Sequence, residues 1–153
     1  IACAKHNSPI FYQLEDKKPT ITEMNFSPTF SNDLYFVFLN QKQNSREGIK
    51  RYKEKRHKLE NEIQLISQIS KDLITSKSLS DFEDLLNTHE DLISSIIELP
   101  KVKDRLFSDY FGTVKSLGAW GGDFVLATGS DETPEYFKNK GFEIIIPYNE
   151  MVL

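Results

Sequence analysis

One cysteine in 153 residues leaves an internal disulfide nothing to join. Cys3 suits a reducing compartment, so the expected location is cytoplasmic, and with no activating group beside it in sequence its thiol is read as inert. Long apolar runs are missing too, none approaching the roughly 20 residues that a helix needs to cross a bilayer. The start, IACA, shows no basic region followed by an apolar stretch, so these residues are not expected to be a signal peptide. Histidine is scarce, at His6, His57 and His89, and with no HExxH and no partner cysteines no metal site is expected. A formal net charge of −4 argues against a general nucleic-acid binder. Neither nucleic acid nor membrane is therefore an expected partner. What is present, 39% apolar and 27% charged residues, fits a globular protein with its own core.

Glycine and proline are absent between Gly48 and Pro100, and the pattern there is helical. Ser45 can cap a first helix whose apolar seam runs through Ile49, Leu59, Ile63, Ile66 and Leu73. TSKSLSD interrupts the pattern, and Ser78 or Ser80 can cap a second helix with Phe82, Leu85, Leu86, Leu92, Ile93, Ile96 and Ile97 on one stripe. Pro100 ends it and opens a shorter helix through KVKDRLFSDYF. Before these helices, PIFYQLE (9–15) and TITEMNF (20–26) are rich in β-branched and aromatic residues. DKKP between them predicts a hairpin turn. LYFVFLN (34–40) is apolar enough for a strand buried on both faces. After the helices come a strand at 113–117, a glycine-rich loop, a strand at 124–128, a helix at about 133–140 stopped by Gly141, and a strand at 142–146. The break near Ser27–Asp33 is the expected domain boundary. From residue 31 on the order is β-α-α-α-β-β-α-β, the expectation being an α+β domain, a ferredoxin-like split βαβ with added helices on a mostly antiparallel sheet.

The loop KSLGAWGGDF is neither a P-loop nor a dinucleotide turn, since both of those run from a strand into a helix. Here strand leads to strand. The glycines make either a wide hairpin or a backbone concavity for an anion, and Trp120 at the tip needs something to pack against. Asp123 either bonds the turn backbone or stands near a metal-bound phosphate. Ser45 and Arg46 follow the buried strand closely, as helix caps or as contacts to a phosphate or carboxylate. KRYKEKRHK (50–58), interspersed with glutamates, reads as a solvated helix face with intrahelical pairs, a phosphate-facing patch being the alternative. His89, on the apolar stripe, is read as a satisfied, half-buried histidine.

The order of elements together with KSLGAWGGDF resembles the C-terminal half of the GHMP kinases, whose third motif reads approximately K-x-T-G-A-G-G-G-G-C between two strands. Lys115, Gly118, Ala119, Gly121 and Gly122 match it, while Leu117 replaces a threonine and Trp120 and Asp123 replace glycines. Ile1-Ala2 resembles the end of the Gly-Tyr-Asp-Ile-Ala stretch of the family's GYDIA branch, and GFEIIIPYNEMVL is similar to that branch's ending.

The resemblance implies a mevalonate kinase-like enzyme that uses ATP and Mg²⁺ to phosphorylate a small hydroxy acid or its phosphate. It implies that Gly118, Ala119, Trp120, Gly121 and Gly122 contact the nucleotide side and that Ser45 and Arg46 contact the acceptor. Residues 1–30 would be remnant strands of the N-terminal, ATP-binding domain, and 31–153 the C-terminal domain. The family's catalytic Asp would precede Ile1, as would its phosphate loop, so this chain alone should be inactive and no catalytic residue is assigned within it. Its partners would be the acceptor molecule, the missing N-terminal half and, in a homodimer, a second copy of itself. A diphosphomevalonate decarboxylase-like enzyme, or a non-enzymatic ferredoxin-like regulatory or dimerisation domain, is the alternative reading.

Overall fold

The computed structural model describes residues 8–15, 18–41, 45–55, 58–118, 120 and 122–152; Cys3, His6, His57, Ala119 and Gly121 lie outside them. The described residues form two antiparallel sheets. Strands β1 (Ile10–Glu15) and β2 (Lys18–Glu23) form the first. Pairing begins at Glu15 with Lys18, so Lys18 and Pro19 belong to the strand and not to the expected turn. A proline is tolerated there because β2 is an edge strand. β2 also stops short of Phe26, which turns inward to stack on Phe82 and meet the edge of Tyr148.

The second sheet has the order β4-β5-β3-β6, with every neighbouring pair antiparallel. β3 is Leu34–Phe38, preceded by a 3-10 turn at Ser31–Asp33; β4 is Val114–Ser116, β5 Phe124–Thr128 and β6 Ile145–Pro147. This α+β arrangement is compatible with a ferredoxin-like domain. β3 is buried on both faces, as its composition requires. Val37 joins Val114, Val125, Ala127, Phe107 and Phe137 on one side, and Leu34 joins Phe30, Phe82 and Leu86 on the other. Helices therefore cover both faces of the sheet and not a single one. β6 starts three residues later than expected because Phe142 is drawn onto Phe107, with ring centroids 5.2 Å apart.

Among the described residues four helices separate β3 from β4 where the sequence suggests three. The long pattern divides into α1 (Ser45–Lys55) and α2 (Glu60–Thr75). Leu59 at the junction leaves helical geometry and is buried against Ile96 and Ile97 of α3 (Leu79–Ile97). Burying one leucine offsets the helical hydrogen bonds lost at the break. Two other seam residues, Ile49 and Ile63, remain exposed. Ser78 caps α3, accepting from the Asp81 N–H at 3.1 Å. At its other end Arg51 donates to the carbonyls of Ile97 (3.2 Å) and Glu98 (2.7 Å), and Lys55 bonds the Glu98 carboxylate. The basic run thus supplies α1 with cations for the C-terminus of α3, where a helix dipole favours them. α4 is only Val102–Leu106, since Phe107 and Tyr110 leave the helix to enter the core. α5 (Thr133–Asn139) packs Phe137 into the same core, Gly141 follows at φ +88°, and α6 is Tyr148–Met151. No helix among the described residues is long and apolar enough to cross a membrane.

Candidate functional site

The β4–β5 hairpin has a closed end and a loop end. At the loop end the chain runs from Leu117 to Asp123. Gly118 sits at φ +68°, a conformation glycine adopts without penalty. Gly122 is needed for another reason: a Cβ there would lie 2.5 Å from the Leu117 carbonyl oxygen. The group that approaches this glycine is thus the neck of the loop itself. Asp123 fixes the same neck through its backbone, its carbonyl accepting from the Leu39 N–H at 2.6 Å, while its exposed carboxylate makes no hydrogen bond among the described residues.

Trp120 is the exception to the glycine logic. It holds φ +57°, a left-handed conformation costing a residue with a side chain roughly 1–2 kcal/mol. Two contacts hold it there. Its indole packs beside Leu59, Ile96 and Ile97, and its Nε1–H donates to Glu90 Oε1 at 3.2 Å. Among the described residues no hydrogen bond takes up the backbone N–H of Gly118, Trp120 or Gly122.

Glu90 went unnoticed in the sequence, although the signal was there. It lies four residues after Leu86 and three before Ile93, inside the apolar stripe of α3, and is 1% exposed. A buried carboxylate needs compensation. Lys115, on the face of β4 turned toward α3, supplies it at 3.3 Å and also donates to the Ser116 carbonyl at 3.1 Å. The contact is long for a charge-assisted bond, whose usual range is about 2.7–2.9 Å. Glu90 Oε2 has no partner among the described residues. His89 is beside it. Burial, reinforced by the charge of Lys115, pushes its imidazolium down to about 4, so the ring is neutral at pH 7. Its Nδ1 is buried with no partner among the described residues, so the histidine is half-buried but not satisfied as expected.

Trp120 separates two cavities. One, of about 50 Å³, is bounded by Leu99, Pro100, Arg105, Ser116 and Gly122. The other, of about 250 Å³, lies between α1, α2, α3 and the loop, and includes Gly48, Ile49, His89, Ile93, Lys115 and Gly118 in its walls. Gly48 and Ile49 bring the first turn of α1 up to the loop, so the start of α1, where Ser45 and Arg46 stand, shares this end of the molecule; the side chains of those two lie outside the described residues. Ala119 and Gly121 do likewise. Among the described residues no group of three or more His, Cys, Asp or Glu side chains could hold a metal ion.

No family model matches this sequence and no curated protein is found to be similar to it. Among solved structures it is similar to a Lin0012 protein from Listeria innocua, with a TM-score of 0.56 and 14% identity, over 80% of this chain and 38% of that one. The chain thus spans well under half the length of that protein. At this identity the likeness concerns the fold alone.

The closed end of the hairpin is differently made. Tyr110 donates its one phenolic proton to the Thr128 carbonyl at 2.7 Å, so the Thr133 hydroxyl, 2.8 Å away, donates to it. Burial pushes this phenol up to about 12, which keeps it a donor. Thr128 Oγ1 accepts from the Thr113 N–H at 2.8 Å and donates to Glu83, while Asn87 donates to the Thr113 hydroxyl at 3.1 Å. Thr113, Thr128 and Thr133 are all buried. Each of these buried hydroxyls finds a hydrogen-bond partner here.

Proposed function

We propose that this chain is the C-terminal part of an ATP-dependent small-molecule kinase of the GHMP type, acting on a small hydroxy acid or its phosphate. Residues 31–153 would form its ferredoxin-like C-terminal domain, with β1 and β2 belonging to the ATP-binding domain. The observation that carries the reading is Trp120. It stands where the family's third motif has glycine, and its backbone keeps the left-handed conformation that favours glycine. A bulky residue in such a conformation is uncommon, and strain of this kind gathers at functional sites.

Three further features support it. The loop joins two adjacent antiparallel strands, and its backbone N–H groups at 118, 120 and 122 are unbonded among the described residues, as a phosphate contact needs. Tyr12 and Leu14 of the first hairpin are 56% and 59% exposed, which suits a surface covered by another part of a longer protein. The structural neighbour is itself much longer than this chain. In this reading the loop would brace the phosphates of ATP, and Mg²⁺ would be held by those phosphates and by residues outside the described set. Phosphoryl transfer needs a phosphate cradle, a metal and an orienting carboxylate together, so the 153-residue chain alone is expected to be inactive.

The test is ATP consumption with a panel of small hydroxy acids and their phosphates, measured for the longest natural protein containing this sequence and for the 153-residue chain. Turnover by the longer protein alone is the expected result. Turnover by the 153-residue chain would overturn the placement of the catalytic parts. Carbon dioxide release coupled to ATP would turn the assignment to the decarboxylase alternative. A longer protein that neither binds nor consumes ATP would favour a regulatory or dimerisation domain.

A further inference from the structure

Polar capacity at the loop end exceeds what the fold uses, and the surplus borders the larger cavity. The Lys115 ammonium has three N–H donors. Glu90 Oε1 takes one and the Ser116 carbonyl a second, leaving the third unbonded among the described residues. Lys115 also lines the 250 Å³ pocket, as does the neutral ring of His89. Elsewhere the walls are mostly branched aliphatic, Ile49, Ile66, Ile93 and Ile96 among them, completed by the indole of Trp120 and the phenol of Tyr52.

Charge decides which ligand suits this pocket. Lys115 offsets Glu90, and His89 adds nothing, so the polar end is neutral as a whole. A carboxylate or ammonium entering it would lose its hydration beside an ion pair that is already balanced, at a large desolvation cost. An uncharged acceptor oxygen takes up the spare N–H without that cost. A volume of about 250 Å³ also falls below the roughly 300–1,000 Å³ of sites for drug-sized ligands.

We propose that this pocket binds a small uncharged molecule with an aliphatic body and one acceptor oxygen, such as an alcohol or ketone, the oxygen accepting from Lys115 Nζ and the body packing between the isoleucines and Trp120. The proposal stands apart from the phosphoryl-transfer reading, since it requires neither ATP nor any other segment.

The probes are 2-octanone, octanoate and octylamine at pH 7, titrated by calorimetry and by emission of Trp120, the chain's one tryptophan. Saturable binding of 2-octanone with a shift in emission is expected, with both charged probes at least about tenfold weaker because of the desolvation cost. Loss of one hydrogen bond should weaken 2-octanone by about fivefold in Lys115→Met. That variant strands Glu90 and can unfold, so a Glu90→Gln/Lys115→Met double variant, neutral throughout, repeats the measurement. Ile93→Trp fills the pocket and should abolish binding. Octanoate or octylamine binding as tightly as 2-octanone would overturn the proposal, as would absence of saturable 2-octanone binding. Undiminished affinity in a folded double variant would overturn the role of Lys115.

Discussion

The two ends of the β4–β5 hairpin are built from the same strands and differ in how completely their polar groups are answered. At the closed end Tyr110, Thr113, Thr128 and Thr133 form a buried network in which donors and acceptors are matched. At the loop end Glu90 is equally buried, yet its two bonds are long, one oxygen has no partner among the described residues, and a left-handed tryptophan and a cavity adjoin it. A satisfied buried network rigidifies a fold, whereas an under-satisfied one beside a strained residue is where binding capacity resides. The closed end is scaffold and the loop end is the candidate site.

The largest effect should come from breaking the scaffold. A Cβ on Gly112 would stand 2.0 Å from the Thr128 carbonyl oxygen, and one on Gly129 would stand 2.1 Å from Thr133 Oγ1 and 2.5 Å from the Tyr110 hydroxyl. Neither obstacle can move without opening the network. Gly112→Ala is expected to cost about 4 kcal/mol or more, in the rare upper range for single substitutions, read by chemical denaturation. A loss under 1 kcal/mol would mean that the closed end yields as easily as the loop. Second in size is Glu90→Ala, which leaves Lys115 half-buried beside a void. About 3 kcal/mol of destabilisation is expected, with a red shift of Trp120 emission in the folded protein as the indole loses its anchor. An unchanged emission maximum in the variant would show that Glu90 does not hold the tryptophan.

The scaffold was largely legible in the sequence. Strands such as LYFVF and FVLAT carry continuous apolar, β-branched and aromatic character, and glycine and proline punctuate the elements around them. The misplacements have one physical origin, tertiary burial overriding local pattern. Leu59 breaks a helix to reach α3, Phe142 delays β6, and Phe26 ends β2 early. The site was half legible. Glycines and a tryptophan marked the loop, but Lys115, Glu90 and His89 come together only because α3 crosses β4, and no spacing in the sequence records a distance of 3.3 Å between residues 90 and 115. The polar threonines of the closed end gave no signal either, since threonine is common in strands whether or not it is bonded.

Acid should separate the ends next. His89 has a folded pKa of about 4 against about 6.5 when unfolded, so between those values the unfolded chain binds more protons. The stability it contributes is fully present above pH 6.5 and is lost as pH falls toward 4, on the order of 2 kcal/mol once partial exposure is allowed for. His89→Leu should flatten this part of the stability profile, while Thr113→Val at the closed end should lower the whole profile without changing its slope. If denaturation midpoints at pH 4 and pH 7 differ by the same amount in His89→Leu and the parent, the acid sensitivity arises elsewhere.

The smallest effect on stability is the most diagnostic. Trp120→Gly relieves a left-handed backbone worth roughly 1–2 kcal/mol and loses a half-buried indole with its hydrogen bond, contributions of similar size and opposite sign. A net change within about 1 kcal/mol is expected from these opposed terms. Trp120→Ala loses the same contacts without the relief, so the alanine variant should be less stable than the glycine variant by about 1 kcal/mol. That order reverses the usual ranking of the two residues, in which glycine costs unfolded-state entropy. Paired denaturation curves decide it. Alanine proving the more stable would mean that residue 120 is not held left-handed in solution, and the difference between the two ends of the hairpin would then lie in the Glu90–Lys115 pair alone.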